Sequence, residues 1–127
     1  MKIIKSTFGI TMEGKTVTAY RMENLAEASV VVLDYGATVQ SVCVPDQNGC
    51  MTDVVLGYDT VAEYEQQDGY LGATIGRMCN RVGKGVFSLD GVTYHLEVNC
   101  GQNHSHGGLR ALIKGCGKHE FWMRLWN

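Results

Sequence analysis

The sequence has a single proline, Pro45, no C-x-x-C pair among its five cysteines, no run of basic residues and no long apolar stretch. Each shortage excludes something. With 11 Lys+Arg against 13 Asp+Glu, a net charge of -2, and no basic cluster, the chain lacks the electrostatic footprint that nucleic acid or an anionic membrane surface requires. Neither partner is expected. Cys43, Cys50, Cys79, Cys100 and Cys116 are odd in number and widely spaced, which fits reduced thiols in the cytoplasm better than a zinc or redox site. After Met1-Lys2-Ile3-Ile4-Lys5, the polar Thr7, Thr11, Glu13 and Lys15 interrupt any signal-peptide core, and no segment approaches the ~20 apolar residues of a membrane span.

What is present is an ordinary globular composition. The 127 residues, 45% of them apolar, suffice for one modest domain, and no repeat, low-complexity tract or linker divides them. The 16 glycines exceed the roughly 7% of average usage and, with so little proline, point to many tight turns between short strands.

Strand signals follow one another quickly. Residues Thr16 to Met22 alternate after a turn at Glu13-Gly14, Ala28 to Leu33 form an apolar run, and Ala37 to Val44 follow Asp34-Tyr35-Gly36. Beyond the turn Asp46-Gln47-Asn48-Gly49, a short strand is expected over Asp53 to Leu56. The clearest hairpin joins Val86–Leu89 to Val92–Leu96 through Asp90-Gly91, a pair suited to a tight two-residue turn. Phe87, Leu89, Val92, Tyr94 and Leu96 are then expected to share one buried face. One helix interrupts the strands: Thr60-Val61-Ala62-Glu63 has the spacing of a capping box, with Tyr64 to Gln67 continuing it. The expected class is all-β, an antiparallel β-sandwich or a piece of one.

Two segments carry unusual chemistry. Gly72 to Gly85 places Arg77, Asn80 and Arg81 among glycines, a composition that brings backbone and guanidinium groups close to a ligand. It is not a nucleotide loop. Met78 stands where a phosphate loop needs its first glycine, Gly85 stands where a Ser or Thr would bind magnesium, and Ser88 breaks a dinucleotide fingerprint. The second segment, Asn99 to Gly108, holds His104 and His106 at alternate positions, which point to opposite faces of an extended chain. No third ligand stands at a zinc-site spacing, so no metal is expected, and a polar loop whose histidines cap turns is the plain alternative.

Taken in order, Gly76-Arg77-Met78-Cys79-Asn80-Arg81, the Phe87–Leu96 hairpin and Asn103-His104-Ser105-His106-Gly107-Gly108 resemble the amino-terminal third of the aldose 1-epimerases, or galactose mutarotases. Leu33 to Ser41, Asp53 to Tyr58 and Tyr70 to Ala73 agree with the same family, so the resemblance runs from about Thr11 to Gly108. It implies that residues 1-110 are the amino-terminal portion of a galactose mutarotase-like supersandwich. It also implies an isomerase that interconverts the α and β anomers of free hexoses such as galactose and glucose by acid/base ring opening, without a cofactor. By position, Asn80 and Arg81 match the family's sugar-contacting pair, and His106 matches the histidine of its His-Gly-Gly motif near the ring oxygen. His106 is thus the expected catalytic residue here, with Asn80, Arg81 and His106 binding the hexose. Arg77 is expected to be a structural hydrogen-bonder and His104 to face away from the site.

The resemblance implies proteins more than twice this length, with the general base, the acid histidine and a sugar-binding aspartate in the later part. None of Glu63, Glu65, Glu97 or Glu120 lies in a matching motif, and Glu97 is expected to be a solvated charge. Activity alone is therefore expected to be weak or nil. The alternative is a non-catalytic carbohydrate-binding or self-associating β fragment, paired through exposed strand edges. After Gly108 the family continues Gly-Phe-Asp-Lys-Arg-x-Trp, whereas this chain diverges over residues 111-127. One coding of Ala111 to Gly117, read two bases later, yields Phe-Asp-Lys-Arg-Leu-Trp, so a one-nucleotide deletion is expected to have shifted the frame of this tail.

Overall fold

The computed structural model describes residues 1–67 and 69–109; the tail over residues 111-127, for which divergence is expected, lies outside them. The first half is a five-stranded antiparallel meander of β1 (Lys2–Ile10), β2 (Thr16–Glu23), β3 (Ser29–Leu33), β4 (Val39–Pro45) and β5 (Met51–Asp53), each paired with the next in sequence. Alternation explains β2: Val17 and Ala19 are buried on one face while Thr18 and Tyr20 are half-buried on the other. The register sets Ala19 opposite Leu33, so two buried side chains meet across the ladder.

Strand β1 was not among the expected elements. Its lysines obscure the apolar pattern, because as an edge strand it keeps most side chains in solvent, and Lys5 lies over the ring of its cross-strand partner Tyr20 at 5.3 Å. A bulge between Thr7 and Gly9 shifts the register of its carboxyl end. Gly9 is needed there, since a Cβ would stand 2.7 Å from Val61 Cγ2.

Two expected boundaries are corrected. The fifth strand covers Met51–Asp53 rather than Asp53 to Leu56, because the Asp53 carboxylate accepts from the amides of Val42 and Val55 at 3.0 and 3.2 Å and ends the ladder. The fourth begins at Val39, not Ala37: Ala37 has φ 49°, and the Thr38 hydroxyl donates back to the Tyr35 carbonyl at 2.7 Å.

The expected capping box forms. Helix α1 (Val61–Gln66) starts at Thr60, whose hydroxyl accepts from the Glu63 amide at 3.3 Å while the Glu63 carboxylate accepts from the Thr60 amide at 3.0 Å. It lowers Val61 and Tyr64 onto Val17, Ala19, Leu33 and Tyr35 to make the core. Phe8 and Tyr58 flank the Tyr64 ring at 6.1 and 5.2 Å between centroids, and the Tyr64 hydroxyl accepts from the Tyr58 amide at 3.1 Å. Burial pushes the Tyr64 phenol above its ordinary pKa.

The second half is built from short pieces: β6 (Arg81–Val82), a single 3-10 turn at Gly83–Gly85, β7 (Val86–Leu89), β8 (Val92–His95) and β9 (His104–Ser105). β7 and β8 form the expected hairpin, with Asp90 and Gly91 at φ 51° and 78° as a primed turn requires. Phe87 stacks on its partner Tyr94 at 5.1 Å. The register does put Phe87, Leu89, Val92 and Tyr94 on one face, but that face is not buried: Leu89, Val92 and Tyr94 are 57, 52 and 43% exposed. The alternation that defines the face does not supply the layer above it.

Among the described residues the chain is all-β with antiparallel sheets and one short helix, and no helix is long and apolar enough to cross a membrane. The loop leading to β6 is tied to the sheet. Val39 donates to the Gly72 carbonyl at 2.8 Å, and the Thr74 hydroxyl donates to the Ala37 carbonyl at 2.7 Å. Gly72, at φ 64°, admits no side chain because a Cβ would lie 2.0 Å from the Val39 carbonyl oxygen.

Candidate functional site

The pairing of β6 with β9 brings the two glycine-rich segments together. Arg81 sits opposite Ser105 and Val82 opposite His104, so the next position sets Asn80 against His106. There the ladder changes character. The His106 amide donates to the Asn80 carbonyl at 3.0 Å, but His106 turns to φ 52° and the return bond runs from the Asn80 amide to His106 Nδ1 at 3.2 Å. The imidazole replaces the carbonyl that a regular strand would have offered. Arg81 Nη1 donates to Asn80 Oδ1 at 3.0 Å, completing a chain of contacts from Arg81 through Asn80 to His106.

All three side chains are exposed, so the cluster is an open surface rather than a closed pocket. With Asn80 Oδ1 engaged by Arg81 and His106 Nδ1 engaged by the Asn80 backbone, the groups left facing solvent are mostly donors: Asn80 Nδ2, the remaining guanidinium N–H groups and His106 Nε2. Donors suit a ligand rich in oxygen lone pairs. Among the described residues no three His, Cys, Asp or Glu gather as a metal site would require.

His104 is placed differently. It is 5% exposed, and its Nδ1 donates to the Glu97 carbonyl at 2.7 Å, away from the cluster. Ser105 is buried beside it and held on both sides by Asn99, whose Nδ2 donates to the Ser105 carbonyl at 2.8 Å and whose Oδ1 accepts from the Ser105 amide at 2.6 Å. Arg77 is exposed. Glu97 corrects an expectation. Although exposed, it is no merely solvated charge, for its carboxylate accepts from the Leu109 amide at 2.8 Å and clamps the chain after Gly108.

The glycines of His106-Gly107-Gly108 have a packing reason. A Cβ on Gly107 would stand 2.2 Å from the Gly76 carbonyl oxygen, and one on Gly108 would stand 2.8 Å from Glu97 Oε2. The motif thus closes onto the start of the Arg77–Arg81 loop. Two further supports have almost no mark in the sequence: Asn99, just described, and Asn103, whose Oδ1 accepts from the Lys84 amide at 3.1 Å. Their signal was slight, two asparagines flanking Gly101, which takes φ 60°.

The family model for "Aldose 1-epimerase" matches residues 18–124. Galactose mutarotase of Sus scrofa is 37% identical over 115 residues, covering 90% of this chain and 33% of its own length. Aldose 1-epimerase of Lactobacillus helveticus is 38% identical over 97 residues, covering 76% of this chain and 71% of its own. Among solved structures, galactose 1-epimerase from Lactobacillus acidophilus superimposes with a TM-score of 0.70 at 28% identity, over 91% of this chain and 33% of that one. The chain therefore spans about a third of the length of mammalian relatives such as the Sus scrofa protein.

Proposed function

Since this chain belongs to the aldose 1-epimerase family, we propose that Asn80, Arg81 and His106 bind a free hexose, galactose or glucose, as the surviving part of an anomer-interconverting site. The observation that carries the proposal is the hydrogen-bonded chain Arg81–Asn80–His106, which joins two distant segments into one donor-rich surface. A neutral polyhydroxyl ligand offers oxygen lone pairs and no charge, and such donors recognise it while stabilising negative charge that develops on a sugar oxygen. His106 is the group assigned to that stabilisation. The cluster holds no carboxylate, so the glutamate that the resemblance implies as the general base for ring opening is not among its groups. The reaction is accordingly slow or absent in this chain alone.

Polarimetry on freshly dissolved α-galactose, together with a binding isotherm, tests the proposal. Galactose or glucose should bind, His106→Ala should lose that binding, and mutarotation should run little faster than in buffer. Failure to bind either sugar would remove the site; a clear rate would show that a base has been overlooked.

A second reading, a self-associating β fragment, is favoured by the exposed Ile3 and Ile10 on edge strand β1 and by the uncovered hairpin face. Sedimentation across a concentration series separates it from the first. The free thiols of Cys43, Cys50, Cys79 and Cys100 support a reducing, cytoplasmic setting. For residues 111-127 the frame-shift reading stands as a proposal: codons incompatible with Phe-Asp-Lys-Arg-Leu-Trp in the shifted frame would remove it.

A further inference from the structure

The hydrogen bonds around the two histidines constrain where their protons sit. A carbonyl oxygen can only accept, so His104 Nδ1, 2.7 Å from the Glu97 carbonyl, must carry a hydrogen. A backbone amide can only donate, so His106 Nδ1, receiving the Asn80 N–H at 3.2 Å, must present a lone pair. A doubly protonated His106 is incompatible with that bond, and the remaining form is the neutral imidazole with its hydrogen on Nε2. We propose that His104 and His106 are held in opposite tautomers, with the backbone amide of Asn80 as the positioning group that makes His106 Nε2 a fixed hydrogen-bond donor.

The consequence for the site deepens the proposed function and rests on it. A neutral imidazole donating from Nε2 cannot accept a proton there, so His106 does not act as a base through its outward nitrogen; it lends a hydrogen bond and keeps its proton. That role suits a sugar oxygen acting as acceptor, and it assigns proton transfer to other groups. The assignment belongs to the Asn80 main chain and not to its side chain, which is occupied with Arg81. The left-handed backbone of Asn80, at φ 59°, is also a conformation that glycine adopts freely.

Long-range proton–nitrogen correlation spectra of the full chain labelled with 15N-histidine read the tautomers directly, without sugar. His106 should show Nδ1 at the far-downfield position of an unprotonated ring nitrogen and Nε2 at the protonated position, with His104 reversed. Reversed patterns, or averaged signals from either ring, would overturn the proposal. Asn80→Gly keeps the amide and the backbone conformation, so the His106 pattern should persist in it; a change to averaged nitrogen shifts would transfer the role to the side chain and overturn the assignment to the amide. Adding galactose should then shift His106 Nε2 while leaving its Nδ1 unprotonated. If galactose shifts neither nitrogen, the sugar reading fails while the tautomer assignment stands.

Discussion

The two halves of this molecule are held by different means. From Lys2 to Asp53 the chain is a meander in which every strand pairs with its sequence neighbour, so each ladder is local and the core forms where α1 closes on β2 and β3. From Tyr70 to Leu109 the paired strands are short, and non-glycine residues at positive φ (Tyr70, Asn80, Lys84, Asp90 and His106) set the path. There, side chains such as Asn99 and Asn103 supply the backbone's partners. The first half should tolerate substitution at exposed positions because register and burial hold it, whereas the second should depend on particular residues at particular turns. A binding surface needs such turns, since they aim polar groups outward that a regular ladder would consume.

Four changes would break or sharpen this contrast, taken from the largest expected effect downward. Leu33→Ala, at a side chain 1% exposed in the centre of the sheet, should lose roughly 2–5 kcal/mol in denaturant unfolding and carry both halves with it. If the site half kept its shifts while the sheet melted, the halves would be independent and the ties from Gly72 and Thr74 to the sheet would count for little. Gly107→Ala forces a Cβ against the Gly76 carbonyl at φ 92° and should destabilise by on the order of 1–3 kcal/mol. Amide shifts should move in β6 and β9 but not in β1 to β4, and sugar binding should fall; shifts spread through the sheet would refute the division. Thr60→Ala removes a cap from the sheet half and should lower stability by about 1 kcal/mol in thermal unfolding with the site spectra unchanged.

The smallest effect concerns Asp46. The amides of Cys50 and Asn48 hold its carboxyl below the usual carboxylate range. A lowered folded value means that its contribution is complete above the unfolded value and disappears as pH falls through the folded one. The stability difference between the native chain and Asp46→Asn should therefore shrink on acidification below the ordinary range of a carboxyl, and a difference independent of pH would refute the assignment.

What could be read from the residues follows the same division. The capping box at Thr60 and Glu63, the Asp90-Gly91 hairpin and the strands around Val17 and Val31 were readable because each is encoded within a few residues. Strand β1 was not, since an edge strand has no need of alternation. The boundaries at Ala37 and Asp53 were missed because a side-chain hydrogen bond, invisible to periodicity, ends or delays the ladder. In the site, the juxtaposition of Asn80 and Arg81 with His106 came from resemblance to a family, not from spacing. The bond from the Asn80 amide to the imidazole had no sequence signal, because it depends on two left-handed residues facing each other across a ladder.

The ladder of β6 and β9 also sets an order in time. Arg81 cannot meet Ser105 until the whole intervening segment has been brought round, and closing such a loop is slower than zipping the β7–β8 hairpin inside it. Pulse-labelling exchange should therefore find the Phe87 and Tyr94 amides protected before those of Asn80 and His106. During synthesis the sequence order is stricter still. Every strand of the five-stranded sheet has been translated by Asp53, so a ribosome carrying a nascent chain can hold a folded sheet before it has added the histidine on which the proposed sugar surface depends.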